Sequence, residues 1–145
     1  STDVFKGETI AAAAVAAHEC GHALQDKDNY TFMRIRSALV PVVNLVSSFS
    51  WYVILIGLFT EYFKVFAIGI ALISIGLIFQ LITLPVEFNA SNRAKKELEK
   101  LKLIGNKEDD GVSKVLGAAA FTYVAAVLTS VLEIVRLIAL FDDRK

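Results

Sequence analysis

Two stretches of this chain, Ser37 to Thr60 and Val65 to Val86, contain no Asp, Glu, Lys or Arg. Each exceeds the ~20 residues that a helix rising about 1.5 Å per residue needs to cross a hydrocarbon core of about 30 Å. Both are therefore read as transmembrane helices. A third uncharged run, Val115 to Leu132, continues to Phe141 once Glu133 and Arg136 are tolerated, and is read as a third span with a polar end. A hydrophobic content of 55% and a mean hydropathy of +0.56 leave too few residues for the surface of a soluble domain of this length.

The rest of the pattern is helical too. Ala and Leu dominate from about Glu8 to Gln25, with only Gly21 opposing a helix. The alanines there allow another helix to approach closely. A polar link, Asp26 to Arg36, leads to the first span, where Pro41 is expected near the start and Asn44 and Ser47 should find partners within the bundle. The connection Glu61 to Lys64 is so short that the first two spans must form an antiparallel hairpin. Beyond Pro85, where the second span should end, Glu87, Ser91, Ala94, Leu98 and Leu101 recur at helical spacing and mark the inward stripe of an amphipathic helix over 86–104. Gly105 reads as its stop, followed by a charged turn to Gly111. The expectation is an all-α polytopic membrane protein of one domain, residues 1–145. It comprises the N-terminal helix, three transmembrane helices and an amphipathic cytoplasmic helix.

Charge sets the orientation. Seven Lys and Arg residues lie between 88 and 114, against Lys64 alone in the hairpin connection. That asymmetry places the larger loop, and with it the N-terminal helix, on the cytoplasmic side of a cell membrane, with the C-terminus opposite. With 15 basic and 15 acidic residues the net charge is zero, which gives no bulk attraction for nucleic acid. The single Cys20 excludes an internal disulfide and a C-x-x-C metal knuckle, and reads as a small packed residue.

The residues that carry chemistry are His18-Glu19-Cys20-Gly21-His22, an H-E-x-x-H sequence on a helix. Histidines at i and i+4 share one face, so both rings can reach one tetrahedral zinc. Glu19 is rotated off that face and can act on the attacking water as a general base without being a ligand. The plainer alternative, two ordinary histidines, is weakened because the chain's only two fall in this motif, beside a membrane where idle ionisable groups are expensive. A catalytic zinc commonly takes three protein ligands. Glu87 is the favoured third, because the hairpin returns it to the level of the histidine helix and it heads the inward stripe. Glu133 is the competing carboxylate, and a solvated Glu87 at a helix end is the bland reading.

Taken together, A-A-H-E-C-G-H-A-L-Q (Ala16 to Gln25) and L-P-V-E-F-N-A-S-N-R-A (Leu84 to Ala94) resemble the YugP-type bacterial membrane zinc metallopeptidases. The likeness extends through F-T-Y-V-A-A-V-L-T-S (Phe121 to Ser130) and so covers most of the chain. The resemblance implies that His18, His22 and Glu87 bind zinc, one ion per chain, and that Glu19 is catalytic. The layout is also similar to the HtpX and Ste24 type of membrane protease, in which a membrane hairpin separates the histidine motif from a glutamate ligand. That group typically has Asp four residues after the glutamate, where this chain has Ser91, so orientation of a histidine would fall to Ser91 or Asn89. YugP-like chains tend to carry a further apolar segment before the first motif, and this chain, which opens at Ser1 without Met, reads as a fragment lacking it.

Two residues are candidate oxyanion donors: Arg136, which also can pair with Glu133 or snorkel, and Tyr123, whose plainer role is aromatic packing. The expected activity is zinc-dependent hydrolysis of peptides or membrane-protein substrates at the cytoplasmic face of the bilayer. The rivals are a non-catalytic zinc-binding membrane scaffold or assembly factor, against which Glu19 argues, and zinc hydrolysis of something other than a peptide. Oligomeric state is not legible.

Overall fold

The computed structural model describes residues 9–142, all in helices or short connections. Four helices follow one another: α1 (Ile10–Lys27), α2 (Thr31–Phe59), α3 (Phe63–Lys100) and α4 (Asn106–Asp142). Their mean hydropathies over the most apolar windows, 1.9, 2.6 and 2.2 for α2, α3 and α4, make three helices long and apolar enough to cross a membrane. The all-helical class and the three spans thus follow the sequence expectation.

The helix ends have local causes. Thr9 caps α1, its hydroxyl accepting a hydrogen bond from the Ala12 N–H at 3.1 Å. Three helices end in the same way, with a non-glycine residue at positive φ: Asn29 after α1 (53°), Glu61 after α2 (54°) and Lys102 after α3 (53°). In each case the next N–H reaches back to close the last turn, from Tyr30 to Gln25 O, Tyr62 to Gly57 O and Leu103 to Leu98 O.

Three local expectations are corrected. Pro41 lies well inside α2 rather than near its start, because α2 takes up most of the presumed polar link and begins at Thr31. Pro85 does not end the second span; α3 runs through it, so the span and the amphipathic segment are one helix. Gly105 is not a stop but the residue before α4. Its carbonyl accepts from the Glu108 and Asp109 N–H groups, and its own N–H donates to Glu108 Oε2 at 2.8 Å, so the presumed charged turn is the first part of α4.

The chain divides into two compact units. The first comprises the segment up to Arg34 together with Thr83–Val124, and its core is Ala14, Ala94, Leu98, Val112 and Leu116. The second comprises Ile35–Ile82 and the segment from Ala125 onward. Ile54, Leu58, Phe66, Leu137 and Phe141 form its core, with Phe66 and Phe141 stacked at 4.4 Å between centroids. Within that unit the α2–α3 hairpin is antiparallel. Gly57 lies against the Phe66 backbone, and Gly69 against Ile54.

Candidate metal centre

The site is built by α1 and by the part of α3 from Thr83 onward, both in the first unit. Glu87, Ser91, Ala94 and Leu98 are all buried along one face of α3, joined by the fully buried Val86 and Ala90, whereas Leu101, beyond the last turn, is exposed. The predicted stripe is therefore real over the length of the helix and stops where the helix stops. The α1 helix lies on this face at Gly21: a Cβ there would overlap the carbonyl of Ala90. Such contact requires glycine, and it brings the residues flanking Gly21 within reach of those flanking Ala90.

His18 and His22 stand edge to face with ring centroids 4.7 Å apart. Each directs Nε2 at the same carboxylate oxygen, Glu87 Oε2, at 3.1 Å from His18 and 3.5 Å from His22. One ligand atom from each of the three residues falls within 4.8 Å of the other two. Donors about 2.0 to 2.1 Å from a tetrahedral zinc lie roughly 3.3 Å from one another, so these spacings fit an ion between the two rings and the carboxylate. The chemistry fits as well: two imidazoles and one carboxylate are the donor set of a catalytic zinc with a position left open. Glu87 is 1% exposed. A carboxylate so deeply buried needs compensating positive charge or strong hydrogen bonds.

Supporting contacts surround the three residues. Ser91 Oγ lies 3.2 Å from His18 Nδ1. Gln25, wholly buried, places Oε1 2.9 Å from His22 Nδ1 and donates from Nε2 to the Val86 carbonyl at 2.8 Å and to Asn89 Oδ1 at 3.0 Å. Asn89 Oδ1 also accepts from Arg93 Nε at 2.8 Å, and Arg93 pairs with Asp28, the residue that closes α1. The sequence expectation named Ser91 and Asn89. Gln25 is not among the residues that the sequence singles out; the one signal for it is its position three residues after His22, on the histidine face.

Glu19 is exposed, on the flank of α1 rather than on the face that meets Glu87. Arg136 belongs to the second unit and pairs with Glu133 at 3.2 Å, its side chain 74% exposed. Tyr123 is half-buried in the first unit. Cys20, expected to be packed, is exposed.

A curated relative from Bacillus subtilis (strain 168), described as "Putative membrane protease YugP", is 45% identical over 141 residues. The match takes in 97% of this chain and 63% of the relative, so the chain spans a little under two thirds of that protein's length. No solved structure gives a significant match. The family described as "Putative neutral zinc metallopeptidase" matches residues 1–142, through both helices that bring His18, His22 and Glu87 together, and the chain belongs to that family.

Proposed function

We propose that this chain is a zinc-dependent endopeptidase of a cell membrane, holding one zinc ion through His18, His22 and Glu87 and using Glu19 as general base. The observation that carries the reading is the convergence of both His Nε2 atoms on one oxygen of a buried carboxylate. Zinc, when bound there, polarises the scissile carbonyl and lowers the pKa of the attacking water. Glu19 accepts the proton that this water loses and delivers it to the leaving amine as the C–N bond breaks, so it ends each cycle as it began. Its exposed position off the ligand face leaves it available to water and substrate. No covalent bond between enzyme and substrate is required.

The substrates are peptides or membrane proteins presented at the bilayer surface, and the relative's description as a membrane protease supports that class. The Lys and Arg residues between 88 and 114 favour the cytoplasmic side.

The test is metal analysis of detergent-purified protein with a peptidase assay of wild type and Glu19→Gln. The variant should keep its zinc and lose about 10²- to 10⁴-fold in turnover, the usual worth of a positioned base. Undiminished hydrolysis by a zinc-loaded Glu19→Gln would remove Glu19 from the mechanism. Hydrolysis of esters but not peptides would reassign the substrate class.

A further inference from the structure

We propose that Gln25 is a positioning residue that decides which ring nitrogen of His22 carries the proton, keeping Nδ1 protonated so that Nε2 presents a lone pair toward Glu87. The inference deepens the metal-site reading above and rests on it only for its purpose, since the assignment itself follows from hydrogen bonds.

The two ends of a side-chain amide have the same shape, so its orientation is settled by what it meets. Gln25 is 0% exposed, and no solvent is available to either end. Arginine has donors only, so the Asn89 atom that Arg93 Nε reaches at 2.8 Å must be the carbonyl oxygen. The Gln25 atom 3.0 Å from that oxygen must then be its NH₂ nitrogen. The Val86 main-chain carbonyl, 2.8 Å from the same Gln25 nitrogen, makes the same demand independently. Both amide hydrogens are thus committed to acceptors, and the Gln25 carbonyl faces His22 Nδ1 at 2.9 Å.

A carbonyl oxygen only accepts, so Nδ1 holds the proton. A neutral imidazole has one N–H, which leaves Nε2 as an acceptor pointing at another acceptor, Glu87 Oε2, 3.5 Å away. Two acceptors facing each other in a buried site repel unless a metal cation or a second ring proton lies between them. Imidazole left to itself favours the proton on Nε2, the wrong tautomer for a ligand atom there. Gln25 therefore works against the default, and the chain Gln25–Asn89–Arg93–Asp28 fixes it from the end of α1 across to α3. His18 has no such device. Its Nδ1 meets the Ser91 hydroxyl at 3.2 Å, which donates or accepts equally well.

That asymmetry supplies an internal control. Zinc-free protein labelled with ¹⁵N-histidine in detergent, taken upward from about pH 8 until each ring shows a single N–H, reports each ring's tautomer in a long-range ¹H–¹⁵N spectrum. His18→Gln assigns the signals. In the wild type, His22 should carry its proton on Nδ1. In Gln25→Met, which keeps the volume and deletes the carbonyl, the proton should move to Nε2 while His18 stays unchanged, and zinc affinity should fall about 10- to 100-fold. A wild-type His22 protonated on Nε2 overturns the proposal whether or not the variant folds, as does a folded Gln25→Met with unaltered tautomer and affinity. Wild type that shows the Nδ1 proton but binds no zinc would overturn the metal-site reading instead, leaving Gln25's control of the tautomer in place.

Discussion

At Gly21 two opposing effects of a single methyl group can be weighed. In an isolated helix Gly21→Ala would stabilise by about 1 kcal/mol. Here the added Cβ meets the Ala90 backbone, which cannot swing aside as a side-chain end would. Overpacking of this kind costs about 1 to 3 kcal/mol, so the substitution should lower the midpoint of thermal unfolding. Because His18 and His22 flank Gly21, separating the helices should also weaken zinc binding. A stabilised Gly21→Ala with unchanged zinc affinity would mean that α1 and α3 do not meet there. From the sequence this glycine reads only as a weak point in a helix, since nothing local reports what lies opposite. His18, Glu19 and His22 are legible because their spacing is a local property of one helix. Gln25 carries no such signature, because its role depends on Val86, Asn89 and Arg93, far along the chain.

The helices show where local pattern suffices and where it does not. Hydrophobic runs mark α2, α3 and α4, and the burial stripe on α3 is visible from Glu87 to Leu98. Boundaries were less legible because this chain ends helices without glycine. Asn29, Glu61 and Lys102 hold the left-handed position that glycine usually takes, so a reading that looks for glycine places the stop at Gly105, three residues beyond the true one. A non-glycine residue pays about 1 to 2 kcal/mol for that conformation, and glycine there loses about 0.5 to 1 kcal/mol more chain entropy on folding. Lys102→Gly should thus be stabilising by a few tenths to about 1 kcal/mol. Its thermal unfolding midpoint in detergent measures this, and a clear loss of stability would contradict the cap assigned to α3.

For the whole molecule, the most apolar windows of the three long helices are each only 11% buried by protein. Their remaining surface is apolar and must be covered by lipid or by other protein. The Lys and Arg bias then predicts sidedness. In a Cys20→Ala background, cysteines at Lys100 and Tyr62 should label from opposite faces of the membrane, with Lys100 cytoplasmic. Labelling from one face would break the hairpin that returns the chain to the histidine helix. The spans and the hairpin were legible because lipid imposes a length and a short connection imposes direction. The register of α1 on α3 was not, because it is set by a glycine and a buried amide.

The central claim, that His18, His22 and Glu87 together hold one zinc, is tested most directly by zinc affinity in competition with a chelator at fixed pH, where ligand protonation competes equally in every sample. Two carboxylates were open from the sequence. Glu87 lies 3.1 Å from His18, whereas Glu133 pairs with Arg136 in the other unit. Wild type and Glu133→Ala should each bind one zinc per chain with similar affinity. Glu87→Ala should lose more than about a hundredfold, beyond the loss expected when a group merely supports a ligand. Unchanged affinity in Glu87→Ala, above all with loss in Glu133→Ala, would contradict the site.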